Sequence, residues 1–360
     1  MIAANTAIQI VMYANMINNM ETIMIKELPI VEHPFVEAFQ RRAFELSAFQ
    51  ANGQDIIEWL YGKYLNCMYT PILREKFNYT RYDNWFVGEN ATLVSKIKFN
   101  VSTFKKLKID LIQFVCEMLD NDNYIFGYYD EFYIPNKIAY ESHHFRHDFM
   151  IYGYDNYKRK FLSIGYTINR NYEKFEFTFE QFVESIYEMQ DNSLTLHFCK
   201  INKKIKFETN IKELYGELDD FLHSRNRRPL SDIGRVYGLD AEREYINYIK
   251  SFIETKEQID VRFSRLFMEL KNLMLVRLQY INANVCKLRD DIFVEYQEIV
   301  DSARVIHCLF MKYNILRNTD DLVKTITYQN NIINKEQEVL YDVYKRLKKY
   351  LEDGENEGSN

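Results

Sequence analysis

The sequence lacks the cation surplus and the long apolar runs that define several classes of protein. Its 360 residues carry 46 Lys and Arg against 52 Asp and Glu, a net charge of −6. General nucleic-acid binding is therefore disfavoured, because a phosphate-binding surface needs clustered cations. No run of about 18 uninterrupted apolar residues occurs, and the first 25 residues have no basic segment ahead of apolar ones. We expect neither a membrane span nor a signal peptide.

Paired cysteines and nucleotide-binding motifs are also missing. The five cysteines are widely spaced, odd in number and form no CxxC, which excludes a disulfide framework or zinc ribbon and favours a reducing cytoplasm. No GxxxxGK[ST] motif occurs, and we expect no cofactor. The run HHFRH (143–147) is not HExxH and leads into a predicted strand, where residues four apart do not share a site, so we expect no metal.

The chain is rich in core-forming residues, 47% hydrophobic and 16% aromatic. Residues 123–129, 147–154 and 160–166 are aromatic and β-branched, which predicts antiparallel strands with a hairpin across the polar turn at 155–159. From about residue 210 the apolar residues repeat every 3.6 positions, which predicts a helical bundle. We predict an α+β domain at 27–207 and a helical domain at 208–352. Residues 1–26 are an expected N-terminal extension and 353–360 a disordered tail.

Cys67 is the candidate nucleophile. Pro71 is tolerated in a first helical turn, so it predicts a helix starting near Cys67. A thiol at a helix N-terminus sees the positive end of the helix dipole, which favours the thiolate. The Cys67 N–H would be an oxyanion donor, and Asn66 could add an amide. The alternative is that Cys67 is a small buried apolar residue.

His147 is the candidate base, because it opens a core strand that could aim it at a nucleophile. A helix-borne Cys followed by a strand-borne His is the papain-like order, and the pair would form an activated nucleophile. Asp130 and Glu131, at the end of the preceding strand, could orient His147, bind an amine or cap a loop. His143 and His144 are expected bystanders.

The residues from Tyr128 to Gly165, which include YYDEFYIP, HHFRH and HDFMIYGYD, resemble the butirosin biosynthesis protein H-like family. This is a C39-peptidase-like, papain-fold group of natural-product pathways. NCMYTPILREKFNY (66–79) is similar to its nucleophile segment, and the resemblance covers most of residues 30 to 350. It implies a papain-like domain with an antiparallel sheet followed by a helical domain. It also implies a cytoplasmic enzyme that needs no cofactor.

The resemblance implies a cysteine-dependent acyltransferase that forms amides. Cys67 would take an acyl group from a carrier-protein thioester, and His147 would act as base on Cys67 and then on a small amine. A related enzyme of the closthioamide pathway uses a diamine as acceptor. We expect an acyl or peptidyl carrier protein and an amine or diamine as partners, with no nucleic acid and no membrane.

The sequence departs from the family pattern at two places. C39-type peptidases complete a triad with an Asp on the strand after the His, but Gly165-Tyr166 occupies that region here. Thr167, Asn169 or Asp130 could orient His147 instead, and Glu131 could bind the amine. The usual oxyanion glutamine is also missing. A cysteine peptidase or amidase on the same fold and a noncatalytic binding homologue therefore remain alternatives.

Overall fold

The computed structural model describes residues 24–53, 58, 60–63, 65–70, 75–79, 94–189, 191, 193–204, 209–227 and 234–357. Its strands are β1 (Ile25–Glu27), β2 (Cys67–Thr70), β3 (Glu75–Tyr79), β4 (Val94–Asn100), β5 (Asn123–Asp130), β6 (Arg146–Asp155), β7 (Lys160–Tyr166), β8 (Tyr172–Thr178), β9 (Thr195–Ile201) and β10 (Val236–Tyr237). Its α-helices are α1 (Gln40–Ala51), α2 (Val101–Leu107), α3 (Leu111–Asp120), α4 (Phe179–Tyr187), α5 (Ile211–Leu222), α6 (Gly238–Thr255), α7 (Val261–Asn284), α8 (Ile292–Leu316) and α9 (Thr319–Glu357).

The α+β class with an antiparallel sheet is confirmed. Strand pairs β1–β6, β5–β6, β5–β9 and β6–β7 are all antiparallel. None of the helices within the described ranges combines the length and apolar character needed to cross a membrane.

The first of two compact units holds the larger sheet and is drawn from residues 24–28, 97–168 and 174–200. Its strand order is β4-β9-β5-β6-β7-β8, with β1 pairing on β6. The predicted hairpin forms β6 and β7, which pair from Met150 with Ile164 to Asp155 with Lys160. Almost every residue of β6 is buried, and α3 and α4 pack against β5. The sheet therefore forms the rigid centre of this unit.

The second unit comprises residues 29–96, 169–173 and 201–357 of the described chain. It contains α1, the helices α5 to α9, and a small sheet of order β10-β2-β3. Its continuous apolar core includes Leu46 in α1, Phe77 in β3 and Phe267 in α7. Long amphipathic helices bury one stripe each, as the 3.6-residue period predicts.

The division between units differs from the predicted boundary near residue 207. The described residues between 29 and 96, expected in the first domain, belong to the same compact unit as the helices. The physical reason is that β2 pairs with β10, with Tyr69 opposite Val236 and Met68 opposite Tyr237. At the other end, α9 continues to Glu357, into the stretch expected to be a disordered tail. Within the expected N-terminal extension, residues from Ile25 onward form β1.

Candidate functional site

The connection between β5 and β6 (residues 131–145) is tied to the sheet by Asp130. Its Oδ1 accepts the N–H of Phe132 at 3.1 Å and the N–H of Phe145 at 3.0 Å, near the two ends of the connection. The Glu131 N–H donates to the Phe145 carbonyl at 2.9 Å. Because His147 then pairs within the sheet, opposite Tyr129, its backbone position is fixed by the strands.

His147 is held by Glu131. The Nδ1 of His147 lies 2.6 Å from Glu131 Oε1, and Glu131 is buried, with 4% of its surface exposed. A carboxylate only accepts hydrogen bonds, so Nδ1 carries a proton and, in the neutral ring, Nε2 is the acceptor. Asp148 Oδ1 lies 3.4 Å from Nε2, longer than a normal hydrogen bond. The His147 side chain is 34% exposed, so part of the ring is open to solvent.

Lys137 lies beside the same carboxylates. It is buried, its Nζ donates to the Tyr166 carbonyl at 2.5 Å, and it lies 4.1 Å from the centre of the Phe175 ring. Burial lowers the pKa of Lys137 to about 8, against the opposing effect of the Glu131 and Asp148 charges. The group is a cluster in which one buried cation partly offsets the charges of two carboxylates.

Tyr129 faces this cluster from β5. Burial raises the pKa of its hydroxyl well above the usual value, and the charges of Glu131 and Asp148 raise it further. The ring stacks on Phe149 with centroids 5.0 Å apart. Its hydroxyl, which is fully buried, has no hydrogen-bond partner among the residues that the structure describes. His147 therefore lies on a strand, opposite a buried aromatic residue, rather than on a loop.

Of the three residues Asp130, Thr167 and Asn169, predicted to orient His147, Asp130 and Asn169 make other contacts. Asp130 Oδ2 lies 2.6 Å from Nδ1 of His144, an exposed side chain. Asn169 donates to Glu173 at 3.3 Å, and Thr167 is buried. The orienting contact is made by Glu131, which the sequence offered both for orienting His147 and for binding the amine.

Cys67 begins a strand, so the predicted helix start is wrong. It is the first residue of β2, it is completely buried, and its Sγ lies 3.5 Å from the Gly238 carbonyl oxygen. The strand forms because CMYT is β-favouring and finds a partner strand in Val236–Tyr237. Pro71, which suggested the helix, lies outside the described residues.

The environment of Cys67 also differs from that of an activated thiol. Burial raises its pKa well above the usual value, the Glu242 charge raises it further, and the Lys271 charge lowers it. The Cys67 N–H, the expected oxyanion donor, donates to the side chain of Asn66 at 2.8 Å. The Asn66 amide donates in turn to the Arg225 carbonyl at 3.0 Å. Both predicted oxyanion donors are thus already bonded within the protein.

Cys67 belongs to the second unit and His147 to the first. Within the first unit the structure brings His147, Glu131, Asp148 and Lys137 together. Within the second, it surrounds Cys67 with the helical core. His143 is exposed and contacts Ser142 at 3.3 Å. Within the described ranges, no cluster of three His, Cys, Asp or Glu residues is suited to a metal ion.

No protein-family model matches this chain, and no curated protein sequence is similar to it.

Sequence reasoning missed Asp148 and Lys137. Asp148 follows His147 directly in the motif, and adjacency to a candidate base was the available signal. Lys137 stands in the polar connection IPNKIAY, where nothing in the sequence distinguishes a buried lysine from a solvated one. Its burial depends on the Tyr166 carbonyl and the Phe175 ring, which are 29 and 38 residues further along the chain.

Proposed function

We propose that this protein forms amides by moving an acyl group from a carrier-protein thioester to a small amine, with His147 as the base. The supporting observation is the 2.6 Å contact between His147 Nδ1 and Glu131 Oε1. That contact fixes the tautomer and orientation of the ring, as a buried carboxylate does for a catalytic histidine. The resemblance of residues 128–165 supplies the reaction class.

The reaction moves one proton through His147, which first accepts it and then donates it. The amine nitrogen attacks the thioester carbonyl, so a C–N bond forms and the C–S bond breaks. Nε2 of His147 takes the proton that the attacking nitrogen loses and returns it to the departing thiolate of the carrier. A thioester is already activated, so no nucleotide is consumed.

An acyl-enzyme on Cys67, formed before transfer to the amine, stays a prediction, as does the papain-like fold. The burial of Cys67 and its raised pKa favour direct transfer. Thiolates are the reactive form, and burial disfavours the charged form. In the direct route the carrier thiol is the only sulfur involved.

The test uses purified protein with acyl-loaded carrier proteins and a panel of small primary amines and diamines. We expect His147→Ala to lower the rate of amide formation by about 10²–10⁴-fold, the usual contribution of a general base. Glu131→Gln should lower it by about 10²-fold or more, because the amide no longer fixes the charged form and tautomer of the ring. His143→Ala is the matched control, since that exposed neighbour contacts Ser142 and the Phe145 ring. Near-normal turnover by His147→Ala would refute the assignment.

The same experiment separates the two chemical routes. Intact-mass analysis without amine should find no acyl adduct on Cys67, and Cys67→Ala should keep its activity. An adduct on Cys67, together with loss of activity in Cys67→Ala, would instead establish the two-step route. Release of free acid faster than amide would favour the peptidase or amidase.

A noncatalytic binding protein is the second candidate. The observation that favours it is the burial of Cys67 within the helical core. This function predicts no turnover with any carrier or amine, and saturable binding of a loaded carrier protein that Cys67→Ala leaves unchanged. Calorimetric titration of the carrier protein into the full-length chain measures that binding.

A further inference from the structure

Helix α8 has an outward face that is rich in apolar side chains. Its inward positions, including Ile299, Ala303, Ile306 and Phe310, are buried where α8 packs against α7 and α9. On the outward face, Val305 is 38% exposed, Met311 42% and Ile315 80%. Exposed apolar residues scattered singly are ordinary, but several on one helix face mark an interaction surface.

Four residues on this face have a symmetric arrangement. Asp301, Val305, Cys308 and Lys312 follow one another at spacings of four, three and four residues. They line a shallow depression of about 430 Å³ with Arg304 and Leu309. The first residue is an acid, the last is a base, and the two between them are apolar. Eleven residues make about three helical turns, roughly 16 Å, so all four lie on one face.

We propose that this face of α8, from Asp301 to Ile315, binds a second copy of the chain, with the two helices antiparallel. In a twofold pair each patch meets its own copy in reverse. Asp301 then faces Lys312 of the other copy, and Val305 faces Cys308, at both ends of the contact. The pattern is therefore complementary to itself in both charge and polarity.

A parallel pairing lacks this complementarity. It would place Asp301 against Asp301 and Lys312 against Lys312, and like charges facing each other are unfavourable. The charged groups are also accessible, since 56% of the Asp301 side chain and 51% of the Lys312 side chain are exposed. Asp301 contacts Gln297 and Arg304 of its own helix, and Lys312 contacts Asp321 at 3.0 Å. These contacts leave exposed faces to both groups.

Sedimentation equilibrium of the full-length chain from about 1 to about 100 µM tests the proposal. We expect a reversible dimer in which Asp301→Lys raises the dissociation constant by about tenfold or more. That substitution sets two lysines against each other at both ends of the contact. Glu254→Lys is the matched control, because this exposed acid on α6 lies outside the face and changes the charge equally. Val305→Glu should also disrupt the dimer, and circular dichroism will show whether each variant stays folded.

Cross-linking tests the geometry. The two Cys308 side chains point into the contact and are offset by three residues, roughly 4.5 Å along the axis, so their sulfurs lie closer together than the helix axes, which are about 8–10 Å apart. A bis-maleimide with a short spacer should give a covalent dimer that Cys308→Ser abolishes. A monomer at about 100 µM would overturn the proposal. A dimer that Asp301→Lys and Glu254→Lys weaken equally, or that cross-links as well in Cys308→Ser, would also overturn it.

Discussion

Replacing Lys271 by Met tests how the helical unit tolerates charge in its core. The Lys271 Nζ lies 2.6 Å from Glu242 Oε1 and also contacts Glu336 Oε2, whose other oxygen accepts the Tyr296 hydroxyl. Burial by itself would lower the pKa of Lys271, but the Glu242 and Glu336 charges outweigh it and raise that pKa. The side chains of both glutamates are at most 1% exposed. Methionine keeps the volume of the side chain and removes its charge, so packing changes little.

The expected loss in free energy of unfolding follows from the carboxylate charges that stay buried after the lysine is removed. Removing one partner of a buried ion pair costs about 3–5 kcal/mol, because the other charge stays buried and unpaired. Here one cation serves two carboxylates, so we expect the upper part of that range. The triple variant that combines Lys271→Met, Glu242→Gln and Glu336→Gln leaves no buried charge in the cluster. It should recover stability to within about 2 kcal/mol of the parent.

The destabilisation caused by Lys271→Met should increase as the pH rises. Burial raises the pKa of Glu242 even with Lys271 in place, and removing the cation raises it further. A carboxyl whose pKa is raised by folding does not lower the free energy of unfolding at pH values below its unfolded pKa, about 4.3. Its cost grows as the pH rises toward the folded pKa. The Lys271→Met variant should therefore be least destabilised near pH 5 and most destabilised near pH 8.

Urea unfolding, monitored by far-ultraviolet circular dichroism, measures both the loss of unfolding free energy and its change with pH. Hydrogen exchange resolved to α6, α7 and α9 shows whether the loss falls on the unit that contains the cluster. Lys250→Met, an exposed lysine on α6, should change stability by less than about 0.5 kcal/mol. If Lys271→Met costs less than about 1 kcal/mol at pH 8, or the same at pH 5 and pH 8, the ion-pair reasoning is refuted.

Two further predictions concern Glu269 and the cysteines. Burial raises the pKa of Glu269 to about 7 although Arg265 and the N–H groups of residues 37 and 38 lower it, so its contribution to stability falls as the pH rises from about 4.5 to 7. The Glu269→Gln variant cannot titrate at this position, so relative to it the parent should lose up to about 3 kcal/mol of unfolding free energy over that range. If urea unfolding gave the same dependence of stability on pH for both proteins, the prediction would be contradicted. Cys308 is exposed whereas Cys67, Cys116 and Cys199 are buried, so a thiol reagent should label Cys308 fastest and the buried three only on unfolding. Rapid labelling of Cys67 in the native protein, read by peptide mass, would show that the thiol opens to solvent.

The local patterns of the chain predicted its regular elements well. The β6–β7 hairpin follows from aromatic and β-branched residues flanking a polar turn, and His147 lies at the start of β6 as expected. The long helices follow from apolar periodicity. These predictions succeed because each depends on residues that are neighbours in the chain.

Predictions that depended on distant partners were less successful. Cys67 became a strand residue because it pairs with Tyr79 of β3. The following residues of β2, Met68 and Tyr69, also pair with Val236–Tyr237, about 170 residues further along the chain. The sequence placed two acids before the histidine connection, but it could not show which one would reach His147. The turn at Glu131–Tyr133, in which Asp130 accepts the N–H of Phe132, leaves Glu131 as the acid that contacts His147.

The interleaving of the two units has a consequence for synthesis on the ribosome. The chain passes between units at residues 28/29, 96/97, 168/169, 173/174 and 200/201, so no single cut separates them. The N–H groups of Glu37 and Ala38 donate to the Glu269 carboxylate in the folded protein. At usual elongation rates Glu269 is synthesised roughly 10–50 s after them. During that interval Phe44 and Phe77, which end fully buried, lack much of the core that will cover them. The nascent chain therefore exposes these apolar side chains until the helices of the second unit have been synthesised.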